Sequence, residues 1–361
     1  MSTTLNVRLR TRLRSGRLGH LSMRLRTGLP FAGRRYPLGL LLGGLVLAVL
    51  CVLHVATGSV DLTPGQVIAA LAGHSEQPFH EVIVWDLRLP RTLIALVTGA
   101  MFGLAGAILQ AIMRNPLAEP EMTGATSGAV LAAVLWLGQG SGRLAEPGTV
   151  LPLIALAGGV AASGLVYLLS FQRSSLPGRL ILTGLLVSAV LRSGTSIVLL
   201  LHQEALGSIL IWLIGSLNGR VWVHWDVLWP WALVALPLGL ASARWANILQ
   251  LGDASATGLG LRVPYARAAL LFVAALLAAS AVAIVGGIAF LGLIAPHIAR
   301  RLVGADARRV FPMSVILGAA LLLAADIAAQ LLLRPTTLPV GAVLAALGAP
   351  FFLYLLRRRT P

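Results

Sequence analysis

Lysine is absent from the 361-residue chain, so all 28 of its basic residues are arginine. That absence excludes a P-loop ATPase, whose lysine must reach the nucleotide phosphates. Cysteine is nearly absent as well: Cys51 stands alone inside an apolar run, so no disulfide organises the fold. Charge is scarce, at 11% of residues, where an ordinary soluble domain carries about 25%. Such a chain cannot coat a water-facing globule. What fills it instead is apolar side chain, 57% of residues, with a mean hydropathy of +0.88. These values identify an all-α polytopic membrane protein. At about 20 residues per spanning helix, they leave no room for a large soluble enzyme domain.

Continuous apolar runs occupy about 37–57, 92–112, 123–138, 150–170, 180–201, 227–243, 266–285, 288–302, 311–333 and 339–356. They predict ten transmembrane helices within a membrane domain over 36–361. A further apolar stretch at 206–217 is too short to span and reads as an interfacial or re-entrant helix. On alternate loops the arginines divide 22 against 5, with Arg192 left inside a span. The positive-inside rule therefore puts both termini in the cytoplasm. Asp61, Glu76, Glu81, Asp86, Glu146, Glu204 and Asp226, most of the 12 acids, fall on the opposite side. Residues 1–35 form a separate basic segment with nine arginines and no acid. It reads as a cytoplasmic anchor in preference to a surface-bound helix or a transit peptide. A basic flank beside a first span needs no nucleic-acid partner, and none is inferred.

Several residues stand out within the runs. Gly99, Gly103 and Gly106 share one helix face, and Gly124 and Gly128 repeat the small-xxx-small spacing, which indicates close packing inside the bundle before it indicates a dimer seam. Asn115-Pro116 ends the second helix, since the residue before proline avoids the helical region. Arg192 lies near the middle of span five on a stripe with Gly184, Ser188 and Ser196. A charge there costs about 2.5–3.5 kcal/mol on insertion scales and must face water or protein. Two readings stay open: Ser188, Arg192 and Ser196 line a translocation pathway that favours a net-negative cargo, or Arg192 pairs structurally with an acid such as Asp326. Asp326, the intramembrane acid of span nine, reads as a helix-to-helix hydrogen-bond partner. His297 has no second ligand at metal-binding spacing, so no metal site is assigned. Between spans six and seven Asp253 is an expected N-cap of a short helix that Gly258 or Gly260 can end.

Three ordered blocks are more specific: Arg88-Leu-Pro-Arg91 followed by Gln110 to Pro120; Phe290 to Arg300 around Pro296-His297; and Leu338-Pro-Val-Gly341 running to Gly348-Ala-Pro350-Phe351-Phe352. Together they resemble the FecCD family, the permeases of ABC importers for ferric siderophores, haem and cobalamin. The resemblance implies a type II ABC importer permease of ten helices that acts as a homodimer or beside a close homologue. It implies a separate nucleotide-binding subunit that holds ATP and Mg²⁺, so that this chain binds no cofactor and is not itself an enzyme, and a periplasmic or lipoprotein binding protein that delivers the ligand. It assigns Arg88 and Arg91 to docking of that protein at the membrane surface. A third family arginine is replaced here by Gln330, and Arg334 one turn further on is the expected substitute. The loop between spans four and five becomes the cytoplasmic gate, with Ser174 and Ser175 as its candidates. The segment at about 245–265 becomes the ATPase-coupling element, carried by Leu251, Gly252, Asp253, Ala254, Gly258, Leu259 and Gly260. Glu121 departs from the family pattern and is expected to face the ATPase or the cytoplasmic mouth.

The function that the resemblance implies is import of a ferric siderophore across a bacterial inner membrane. The stretch from Ile211-Trp212 through Gly215-Ser216-Leu217 to Trp222 resembles that of siderophore members and favours them over haem or cobalamin. It does not separate catecholate from hydroxamate ligands. The rival of another class is an ion-coupled carrier that uses Asp326. An intramembrane enzyme is disfavoured for want of a HExxH motif, paired intramembrane acids or a Ser-Lys pair.

Overall fold

The computed structural model describes residues 33–58, 60–75, 77–138, 147–170, 177–201, 210, 213–334 and 336–357. The basic segment up to residue 32, Ser174, Ser175 and half of the 206–217 stretch (206–209, 211 and 212) lie outside them. The described residues form helices and turns with no strand. In chain order these are α1 (Tyr36–Ala56), α2 (Pro64–Leu71), α3 (Pro78–Val82), a π-turn at Ile83–Arg88, α4 (Leu89–Ile112), α5 (Ala125–Gly138), α6 (Pro147–Ser170) and α7 (Pro177–Leu201). There follow α8 (Trp222–Ala241), α9 (Ala243–Gln250), α10 (Asp253–Gly258), α11 (Val263–Val285), α12 (Leu291–Val303), α13 (Ala307–Leu332) and α14 (Val340–Arg357).

By length and composition, seven helices of the described residues can cross a membrane: α1, the continuous Pro78–Ile112, α6, α7, α8, α11 and α13. Each of the ten apolar runs holds a helix, but three are short. α5 has 14 residues, α12 has 13, and the apolar part of α14 stops at Leu353. Backbone geometry sets where they begin. Gly124 (φ +78°) delays α5, and Phe290, a non-glycine residue at φ +65°, delays α12 to Leu291. The run read from residue 288 therefore loses its first three residues to a turn.

α4 is the axis of the bundle. Its faces are apolar all round, as a fully enclosed helix requires, and α13, α11, α12 and α8 surround it. The glycine face goes to intramolecular packing. A Cβ on Gly99 would sit 2.6 Å from the Gly318 carbonyl oxygen of α13, and Gly106 abuts Gly292 of α12. At such backbone-to-backbone crossings the missing side chain is what allows the approach. Gly99→Val is therefore expected to destabilise the fold by at least the about 1–3 kcal/mol of ordinary overpacking, because backbone cannot move aside as a side chain can. Denaturant titration of the detergent-solubilised protein measures it; an unchanged midpoint would refute the packing role. Along α1 the pattern is opposite, with Leu41, Leu45 and Val52 exposed, as a lipid-facing helix requires.

Candidate functional site

The chain between α4 and α5 does not stay at the end of the bundle. After Ile112, Arg114 turns with φ +47° and the Asn115 side chain accepts from the Leu117 N–H at 3.0 Å. A short 3₁₀ turn at Pro120–Thr123 then lies along the middle of α7: Gly184 leaves room for the Met122 carbonyl, and Ser188 Oγ donates to the Glu121 carbonyl at 3.2 Å. Two other irregular stretches meet nearby. Gly215 (φ +83°) packs on Gly287, and the Gly341 N–H donates to the Gly215 carbonyl at 3.1 Å. Non-helical backbone at such depth is tolerated where it is enclosed by protein or borders a wet cavity.

Such a cavity exists here. It holds about 460 Å³ and is bordered by Glu121, by Thr126 and Ser127 at the start of α5, by Arg192, Thr195 and Ser196 of α7, by Gly287–Ala289, and by Gly341 and Ala342 at the start of α14. Arg192 donates to the Glu121 carboxylate. Both remain part-exposed, at 58% and 34% of their side-chain surface, so water has access to them. The structure thus brings Arg192 and Ser196 to one cavity and sets Ser188 behind it against Glu121. The pairing with Asp326 does not occur, because Asp326 is already saturated by other donors. Glu121 faces this cavity, since the chain after Ile112 turns back along α7. No spacing rule links Glu121 to a residue 71 positions away.

At one end of the bundle, Arg88 and Arg91 do not project outward as expected. Helix begins at Pro78, well before the apolar run, so both lie inside it. Arg88 is buried and donates to the Val55 carbonyl at 3.0 Å, the Ala56 carbonyl at 2.8 Å and the Val60 carbonyl. The first two are unpaired acceptors of the last turn of α1, where a guanidinium also complements the helix dipole. Arg91 clasps Asp326 through Nε at 2.8 Å and Nη2 at 2.9 Å. Asp326, fully buried, also accepts from His54 Nε2 at 2.8 Å and from Gln330 Nε2 at 2.9 Å. Gln330 therefore completes this cluster, and Arg334 pairs with Asp61 at 2.8 Å on the surface.

At the other end, Asp253 opens α10, but Gly252 (φ +105°) is the N-cap. The N-cap expectation fails because the carboxylate is bound elsewhere: Arg267 donates at 2.9 and 3.0 Å, and Arg114 donates as well. Burial raises the Asp253 carboxyl, yet hydrogen bonds and charge from Arg267 and then Arg114 outweigh it and hold it below the usual carboxylate range. This anchorage is present at neutral pH and is lost as pH falls through that lowered value. Leu251 and Leu259 are exposed on either side, Ala254 lies within α10, and Gly260 (φ +82°) ends the segment with its N–H on the Thr257 carbonyl. α10 is thus a pinned, surface-presented helix. Gly258→Pro removes a helical N–H from its last residue, at roughly 3 kcal/mol, whereas Asp253→Pro falls at the tolerated first position and loses only the anchor. The coupling role that the resemblance implies predicts that ligand-stimulated ATP hydrolysis by an assembled complex vanishes in the first and falls in the second; unimpaired stimulation in both would overturn that expectation.

Among the described residues no group of three or more His, Cys, Asp or Glu is placed to hold a metal ion. A multi-pass helical bundle with a charged, part-open cavity walled by interrupted helices is a membrane transport subunit. The chain belongs to the FecCD transport family, whose model matches residues 46–358. It is 40% identical over 326 residues to the iron(3+)-hydroxamate import system permease protein FhuG of Bacillus subtilis, with 87% of this chain and 95% of that protein aligned. Over 291 residues it is 40% identical to the Fe(3+) dicitrate transport system permease protein FecD of Escherichia coli, covering 80% and 87% of the two chains. A solved inward-facing structure, described as a metal-chelate type ABC transporter, superimposes with a TM-score of 0.79 at 30% identity, over 90% of this chain and all of that one.

Proposed function

We propose that the chain is the membrane-spanning subunit of an ATP-driven importer for a ferric siderophore or similar iron chelate. The observation that carries this reading is the cavity bordered by Arg192 and Glu121, where three interrupted segments meet. The hydroxamate and dicitrate relatives favour an iron chelate over haem or cobalamin. Arg192, with the N-terminal ends of α5 and α14 directed at the same space, favours a cargo with anionic oxygens. In this reading the chain crosses a bacterial inner membrane ten times with both termini in the cytoplasm, an orientation that the arginine distribution favours. The Asp253 end then meets a nucleotide-binding subunit that holds ATP and Mg²⁺, and the Arg88 end meets a binding protein. Asp326, already accepting from Arg91, His54 and Gln330, serves packing rather than ion coupling. A second copy or a close homologue completes the pathway.

Reconstitution tests it. Vesicles that contain the chain with its ATPase subunit and binding protein are expected to accumulate ferric chelate only with ATP. Uptake by the chain alone, driven by a proton gradient, would replace the importer with a carrier.

A further inference from the structure

A groove of about 470 Å³ lies between α6, α7 and α11 and shares no bordering residue with the Arg192 cavity. Its walls are apolar, Val160, Leu180 and Phe272 among them, and no charged side chain borders it. Its place along the helices is well defined. Tyr167 is in the last turn of α6, Leu180 in the first turn of α7 and Ala268 near the start of α11, so the groove begins at the Asp253 end of the bundle. It runs inward to Val160 and Ala275, about 10 Å along each helix. Sideways it is open, since Gly164 and Phe272 are exposed. On a bundle that spans a membrane, that flank meets hydrocarbon. Beside the mouth, at the ends of the same helices, stand exposed Arg179, Arg262 and Tyr265, side chains suited to the headgroup level.

We infer that this groove binds one acyl chain of an anionic phospholipid whose headgroup rests at the level of Arg179 and Arg262, and that the bound chain braces the turn carrying Glu121. The volume falls within the roughly 300–1,000 Å³ of pockets that enclose one small ligand. Charge selects a lipid over a second copy of the chain. Two copies side by side in one membrane carry their arginine-rich ends at the same level and repel there, whereas an anionic headgroup neutralises them. The brace follows from what lies behind the groove. Thr123 and Val166 form part of its wall, and a Cβ on Gly124 would come 3.2 Å from Val166 Cγ2. An acyl chain against these residues therefore backs the Pro120–Thr123 turn, whose Glu121 borders the Arg192 cavity on the other side.

The full chain in nanodiscs of phosphatidylcholine, doped with phosphatidylglycerol that carries a photoactivatable acyl chain, tests this without any cargo. Irradiation is expected to label Ser163, Gly164 and Phe272 about tenfold above Leu41 and Leu45, which face bulk lipid on α1. Gly164→Phe is expected to abolish that excess while the protein still folds, because a Cβ at Gly164 meets nothing within 4 Å and the ring enters open space. Arg179→Gln with Arg262→Gln, both exposed, leaves the groove intact and is expected to lower the yield to that of the same chain on phosphatidylcholine. Amide exchange at 121–124 is expected to quicken about tenfold when phosphatidylglycerol is withdrawn. Labelling no stronger than on α1, or unchanged in Gly164→Phe, overturns the site. Equal labelling from the two headgroups overturns the anionic lipid, and chain-to-chain cross-links through these residues in place of lipid adducts give the groove to a second copy. Unchanged exchange at 121–124 overturns the brace.

Discussion

Arg192→Gln is expected to reduce ATP-driven uptake of an anionic ferric chelate by about tenfold to a hundredfold, the size of one lost charge-assisted contact, while the folded yield stays close to wild type. The two effects separate because the Arg192–Glu121 pair is part-exposed, and pairs of that kind contribute about 0–1 kcal/mol to stability. Glu121→Gln is the informative companion. If Arg192 receives anionic oxygens of the cargo, Glu121 is their competitor, and its neutralisation is expected to leave uptake intact or raise it. If the pair serves only to hold the 120–123 turn against α7, both variants lose uptake alike and both lose stability. Initial rates in proteoliposomes, normalised to folded protein, distinguish these outcomes. An unaltered rate in Arg192→Gln would take the cavity out of the pathway.

Arg192 was legible in the sequence because a charge inside an apolar run must face water or protein; its partner was not. Glu121 sits in a turn whose route depends on Gly124, on Gly184, and on Gly292, where a Cβ would come 2.6 Å from the Pro120 ring. None of these contacts is local in sequence. The apolar runs located the helices well, since 57% apolar composition leaves few other readings, but hydropathy does not see where helix starts. The Pro78–Arg88 stretch carries His80, Glu81 and Asp86 and so was missed as part of the second span, which misplaced Arg88 at a surface it never reaches. Phe290 illustrates the reverse: an apolar residue continues a hydropathy run while its left-handed backbone ends any helix before it.

The largest effect on the fold itself is expected at Asp326. One buried carboxylate there joins three helices: α1 through His54, α4 through Arg91, and its own α13 through Gln330. His54 extends the network, with Nδ1 2.7 Å from Thr92 Oγ1, which donates to the Arg88 carbonyl at 2.8 Å. Arg91 is only 13% exposed, so removal of the acid strands a guanidinium in a low-dielectric interior. Breaking such a pair from one side costs about 3–5 kcal/mol, much more than either partner contributes to a surface bridge. Asp326→Leu is therefore expected to abolish folded protein, and Asp326→Asn to lower the denaturation midpoint sharply although it preserves shape. The double variant Asp326→Asn with Arg91→Gln should be less damaged than the sum of its parts, since contacting residues couple. Denaturant titration of the four proteins in detergent gives the coupling directly. A carrier that used Asp326 for proton coupling behaves oppositely: Asp326→Asn folds normally and loses only gradient-driven uptake. Normal stability in Asp326→Asn would thus return this residue to the transport mechanism and reopen the role of Arg91 as a free surface charge.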